Sequence, residues 1–178
     1  KDYYKAMPYK FCNVTNGIAH RRWLCYANPK LTEFIEECIG SGFRKDPCLL
    51  TELNKFSDDA SALDRLGQIK KSNKQRFARQ LEASCGISLD TESIFDVHVK
   101  RIHEYKRQTL NILKIIAYYN ELLENPNSDI PPCTFIFGGK AAPGYYLAKD
   151  IIKLIWSIGQ EIEKHPRIRD IIKVIYLE

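Results

Sequence analysis

Several signals that would assign a chain to a class at once are missing from this sequence. No apolar run approaches the ~20 residues that a membrane-spanning helix requires, and no signal peptide is present. Cysteine is scattered: Cys12, Cys25, Cys38, Cys48, Cys85 and Cys133 include no Cys-x-x-Cys pair, which removes the zinc and thioredoxin-like readings. Several of them lie in apolar settings, where a thiol behaves as a small hydrophobe. All six are expected to be reduced, and the protein cytoplasmic, with no disulfide scaffold. Of the histidines, His20, His98 and His165 show no metal-ligand spacing, so no metal site is expected. No G-x-G-x-x-G run occurs. Lys140 follows two glycines but lacks the preceding spacing and the following Ser or Thr of a P-loop, so an NTPase reading fails. There is no internal repeat, no low-complexity segment, and no nucleophile with an evident base beside it. Initiator methionine is absent too. The chain starts at Lys1 and stops at Glu178 directly after an apolar strand, so a piece of a longer protein is expected.

What is present is a 178-residue chain with 44% hydrophobic residues and a net charge of +5, enough for a domain with a full core. So mild a positive excess suits an anionic small molecule as well as it suits nucleic acid. Lys1–Phe11, aromatic and basic around Pro8, is expected to be irregular or extended. Asn28-Pro29 signals a helix with Asn28 as N-cap, an apolar face of Leu31, Phe34, Ile35 and Cys38, and a stop at Gly40. Residues 41–50 are expected to form a loop. Ser57-Asp58-Asp59 signals a second, long helix to about Ser84, ending at Gly86. Its cations Lys70, Lys71, Lys74, Arg76 and Arg79 are read as a solvated face.

From Asp90 the pattern changes. Strands are predicted at about 93–99, 133–138 and 171–177, with helices at about 103–124 and 145–164 between them. Apolar strands alternating with helices make an α/β chain with an open parallel sheet, preceded by a helical segment. In the first strand Phe95, Val97 and Val99 are predicted to share one face, and Ile94, Asp96 and His98 the other.

Two strand ends carry the charge. After the first come Lys100, Arg101, Lys106 and Arg107, with His103 and Tyr105 among them. After the second comes Gly138-Gly139-Lys140-Ala141-Ala142-Pro143-Gly144-Tyr145, where glycines let the backbone approach a ligand. Alone, the first cluster reads equally well as solvated basic surface. Together, the two loops sit at the same carboxyl edge of a parallel sheet, where ligands of open α/β sheets bind. A pocket there would be strongly positive and suited to phosphate, even to more than one.

Three stretches resemble the α-glucan phosphorylases, the family of glycogen, starch and maltodextrin phosphorylase. They are Val99–Gln108, Gly138–Tyr145, and Thr15-Asn16-Gly17-Ile18 followed by Arg21-Arg22-Trp23, in the family's order. The resemblance spans nearly the whole chain, most weakly over 36–89, and covers part of a much longer family sequence. Ala19-His20 departs from a Thr-Pro of some members. The resemblance implies a glycosyltransferase-B architecture, with residues 1–28 connecting from an N-terminal lobe. On this reading 29–89 is a helical segment and 90–178 a Rossmann-like start of the C-terminal lobe. It implies phosphorolysis of an α-1,4-glucan to α-glucose 1-phosphate, with pyridoxal 5′-phosphate acting through its phosphate. Carried over by motif, Lys100 and Lys106 would contact the cofactor phosphate, and Arg101 and Lys106 the substrate phosphate. Tyr105 and Asn16 would bond the glucosyl unit, His103 would order the site, and Tyr145 would stand at its entrance, where planar ligands stack. The Schiff-base lysine belongs to a Gly-rich motif expected beyond Glu178, and Lys140 is not it. The expected partners are glucan, inorganic phosphate, the rest of both lobes and, for the full-length enzyme, a second subunit, with neither nucleic acid nor membrane. The piece alone is expected to be inactive. The rival readings are a sugar-nucleotide glycosyltransferase of the same architecture and a basic nucleic-acid-binding module, whose binding would be steeply salt-dependent.

Overall fold

The computed structural model describes residues 1–14 and 16–177; Thr15, the first residue of one motif, and Glu178 lie outside the described residues. The chain packs as two compact units, Lys1–Ser72 and Asn73–Glu178.

The first unit is helical. Where the sequence predicts an irregular or extended start, Asp2–Ala6 forms a short helix, α1, that buries nothing, and Pro8–Lys10 a 3-10 turn. Local backbone bonds suffice for these turns, such as Met7 N–H to the Tyr3 carbonyl at 3.0 Å. Helix α2, Pro29–Ile39, starts as predicted, with Pro29 in its first turn and Asn28 Oδ1 accepting from Leu31 N–H at 3.4 Å. Its Phe34 and Ile35 are buried with Cys25, Phe43 and Ala62 in the core of this unit. The expected loop after Gly40 is two 3-10 helices, Ser41–Arg44 and Pro47–Phe56. Asp46 begins the second by accepting from Cys48 N–H at 3.0 Å, a local bond that competes with irregular chain. Helix α3, Ala60–Cys85, follows the Ser57-Asp58-Asp59 signal as predicted, with Asp59 as the cap: its carboxylate accepts from Ala62 N–H at 2.9 Å. Buried His20 has Nε2 3.0 and 3.1 Å from the carbonyl oxygens of Phe43 and Arg44, which is a structural role.

The second unit is built on three parallel strands in the order β1, β2, β3: Ile94–Val99, Cys133–Gly138 and Ile172–Leu177. Helix α4, Gln108–Glu124, links the first pair of strands, and α5, Tyr146–Glu163, with the short α6, Pro166–Arg169, links the second. Every residue of β2 is buried, as the unbroken apolar run of a central parallel strand requires. On one face Phe135, Phe137 and Ile172 pack with Ile112 and Ile115 of α4 and Ile151 and Ile155 of α5. On the other, Ile136 and Ile175 meet Leu81 and Phe77 from the second half of α3. Each such side chain contributes about 1.5–3 kcal/mol by leaving water. The edge strand β1 keeps its predicted alternation, with Phe95 on the α3 face, and with Asp96 bonded to Lys114 of α4 at 2.6 Å and His98 stacked on Phe137 on the other. Phe95 meets Phe77 at 6.3 Å between centroids, but Val97 and Val99 are 60% and 56% exposed, because α3 covers that face only as far as Phe95. The register aligns Val99, Gly138 and Leu177, so all three strands end at one level and their loops leave from one edge.

Candidate active site

Beyond Val99 the chain keeps to the sheet for three more residues. Lys100 N–H donates to the Gly138 carbonyl at 2.9 Å, and Ile102 N–H to the Lys140 carbonyl at 3.2 Å. Ile102 is buried, which leaves Arg101 and His103 on the solvent side. The helix predicted from 103 does not begin there. His103 is extended, Glu104–Lys106 is a separate 3-10 turn, and Arg107 is left-handed at φ 63° before α4 starts at Gln108. The imidazole caps that turn: Nδ1 of His103 accepts from Tyr105 N–H at 3.4 Å, and its carbonyl accepts from Lys106 N–H at 2.9 Å. The left-handed Arg107, costly for a side-chain-bearing residue, keeps turn and helix from merging.

Gln108 holds this stretch from behind. It is fully buried at the start of α4, where Nε2 donates to the Arg101 carbonyl at 3.2 Å and Oε1 accepts from His103 N–H at 3.4 Å. Sequence reasoning passed over it. Its place at the end of the Val99–Gln108 motif, directly after a cation cluster and at the first position of an apolar helix, was the available signal.

The second loop closes against the first. Gly139 has φ 139°, and a Cβ there would lie 2.1 Å from the Lys100 carbonyl oxygen, so only glycine permits this approach. Tyr145, just before α5, donates its phenol to Glu104 Oε2 at 2.7 Å. That bond raises the Tyr145 pKa above its ordinary value. The His103 ring lies 4.6 Å from the Tyr105 ring and 5.0 Å from the Tyr145 ring, between centroids.

Between the loops is a cavity of about 470 Å³ whose lining includes Arg101, His103, Tyr105, Lys106, Lys140 and Tyr145. Lys100 adjoins it without lining it. Among the described residues, Lys100, Arg101 and Lys140 have no ion pair and no side-chain hydrogen bond, while Lys106 has only the Tyr105 ring, 5.6 Å from its ammonium. The carboxylate of Glu104, in the same turn, is engaged by Tyr145. An uncompensated cation cluster at strand ends has the charge to attract an oxyanion. A second cleft of about 380 Å³, at the far end of α4, has largely apolar walls that include Leu122, Pro126 and Ile168. Asn16 belongs to the first unit, where it is exposed. Arg21 and Arg22 are used locally: Arg21 donates to the Arg44 carbonyl at 3.1 Å, and the Arg22 guanidinium lies 4.9 Å from the centre of the Trp23 ring.

A sequence profile of the carbohydrate phosphorylases matches residues 1–178. The chain belongs to the carbohydrate phosphorylase family. It is 45% identical over 177 residues to a glycogen phosphorylase of Chlamydia pneumoniae, covering 99% of this chain and 22% of that protein. It is 48% identical over 178 residues to the brain form of glycogen phosphorylase from Rattus norvegicus, and 46% identical over the same length to the muscle form from Oryctolagus cuniculus. Both of those matches cover 100% of this chain and 21% of the relative. The chain therefore spans about a fifth of the length of these carbohydrate phosphorylases. No described helix is long and apolar enough to cross a membrane.

Proposed function

We propose that this chain carries the phosphate-binding part of the active site of an α-1,4-glucan phosphorylase, a glycogen phosphorylase in its cellular role. The observation behind this reading is the set of unpaired cations at the strand ends of a carbohydrate phosphorylase chain. In phosphorolysis the bond from C1 of the terminal glucosyl unit to O4 of the next unit breaks. C1 bonds to a phosphate oxygen, and the phosphate proton ends on O4 of the shortened glucan. Phosphate enters and leaves as an anion, so fixed cations must hold it throughout and follow its charge as it shifts.

Each residue has a role on this reading. Arg101 grips the substrate phosphate through its planar fork, and Lys106 adds a compact second charge. Tyr105, which is 71% exposed, and Asn16 bond the glucosyl hydroxyls. His103, held beside two tyrosines, orders the loop that carries these groups. Tyr145 stands at the entrance. The cation set also fits the phosphate of pyridoxal 5′-phosphate, which Lys100 and Lys106 would hold, while no residue of this chain is assigned to anchor its ring. When bound, that phosphate supplies acid–base chemistry to the substrate phosphate. The same reading makes the full-length enzyme a cytoplasmic homodimer, and the six unpaired cysteines suit a reducing compartment.

The test is Arg101→Ala in the full-length enzyme. The expected result is a loss of about 10²–10³ in kcat/KM for phosphate, the size seen when one charge-stabilising donor is removed. An unchanged phosphate dependence overturns the role of Arg101.

A further inference from the structure

We infer that Tyr176 is a positioning residue that sets the place of the Lys100–Arg101 peptide, and through it the affinity for phosphate; this rests on the phosphorolytic reading of the site. Tyr176 is one residue from the end of β3 and does not line the cation cavity. Its phenol donates to the carbonyl of Gly139. On its other side Gly139 presses on the first loop. A Cβ at Gly139 would meet the Lys100 carbonyl oxygen at 2.1 Å, the Lys100 carbonyl carbon at 2.7 Å and Arg101 N at 3.2 Å. Nothing separates the backbone of Gly139 from the peptide that joins the two cations.

The directions of the carbonyls make this a tether. Gly138 and Lys140 turn their carbonyls toward the first loop, where they accept from Lys100 N–H and Ile102 N–H at 2.9 and 3.2 Å. Gly139 turns its own toward β3. The pairing of β2 with β3 ends at Gly138 and Leu177, so the phenol holds the chain just past the point where the strand ladder stops. Tyr176 is itself well anchored, facing Phe137 in the register and packed against the main core of the second unit. Gly138 is hemmed in from the same side, since a Cβ on it would lie 3.3 Å from the Leu177 carbonyl oxygen. Contact thus runs from β3 through Gly139 to Lys100 and Arg101 without a gap. A cation that grips phosphate needs its place held to within about an ångström, because a misplacement of that size is enough to cost rate.

The variant Tyr176→Phe removes the hydroxyl and keeps the ring in the core. In the full-length enzyme the expected result is a rise of about three- to tenfold in KM for phosphate, the size of one neutral hydrogen bond. Inorganic phosphate titrated calorimetrically should lose affinity by a similar factor, while KM for glucan stays near wild type. Equal phosphate affinity in the two proteins overturns the inference. So does a parallel rise in both KM values, which is what a merely structural role would produce. If the wild-type enzyme releases no glucose 1-phosphate, the functional reading fails by itself. The calorimetric comparison of phosphate binding then still decides the tether, without reference to activity.

Discussion

Replacing Gln108 with leucine should loosen the site without touching any residue that faces it. The Gln108 side chain has no exposure, and its amide closes two bonds, to the Arg101 carbonyl at 3.2 Å and from His103 N–H at 3.4 Å. Both are long, so each is worth toward the lower end of the ~0.5–1.5 kcal/mol of a typical hydrogen bond. Leucine matches much of the volume, which keeps the packing cost low. The larger effect is the two backbone groups left without a partner, and together these changes should cost about 1–3 kcal/mol. Urea unfolding, with the slope unchanged and the midpoint lowered, measures the global part. Amide exchange at His103 measures the local part and should speed up by more than the global loss explains. A midpoint within about 0.3 kcal/mol of wild type, together with unchanged exchange at His103, would refute the clamp; losses of the predicted size are several-fold larger than that.

Two further outcomes follow from the packing and the charges. Gly159 of α5 lies against β3, where a Cβ would come within 3.1 Å of the Val174 carbonyl oxygen. Gly159→Ala should therefore destabilise by about 1 kcal/mol in urea unfolding, since overpacking against backbone outweighs the gain in helix propensity. The Tyr145 phenol, held above its ordinary value of 10.0 first of all by its bond to Glu104, donates only while protonated. Its contribution is intact below pH 10.0 and is lost as pH rises through the folded value. Ultraviolet difference titration of wild type against Tyr145→Phe should show one phenol ionising late, and a normal titration there would contradict the bond. At the acid end the sign is opposite. Glu161, lowered chiefly by its bond to Lys164, contributes above 4.5 and loses that contribution as pH falls through its folded value.

Much of the architecture was readable from local chemistry. The run Cys133–Gly138 read as a strand of a helix-covered parallel sheet because it is almost wholly apolar, and it is buried throughout, at the centre of the sheet. Asn28-Pro29 announced α2 because a side-chain cap and a fixed φ act within one turn. The long helix starts directly after the Ser57-Asp58-Asp59 signal, because Asp59 caps it within its first turn. At β1 the alternation gave the two faces correctly but not their burial, because whether Val97 and Val99 are covered depends on what packs against the strand.

The sequence by itself determined that two cation-bearing loops would leave a parallel sheet at one edge, because strand periodicity and glycine placement are local properties. The tertiary structure alone decided which of those cations line the cavity. It left Lys100 beside it, put Arg101, Lys106 and Lys140 into it, and broke the expected helix at Arg107. It also recruited Gln108 and Tyr176, uncharged residues to which no role was assigned from the sequence. The physical reason is distance along the chain. Gly139 touches Lys100, and Tyr176 touches Gly139, only after the strands have paired, and a close approach of backbone to backbone leaves no mark in the residues between.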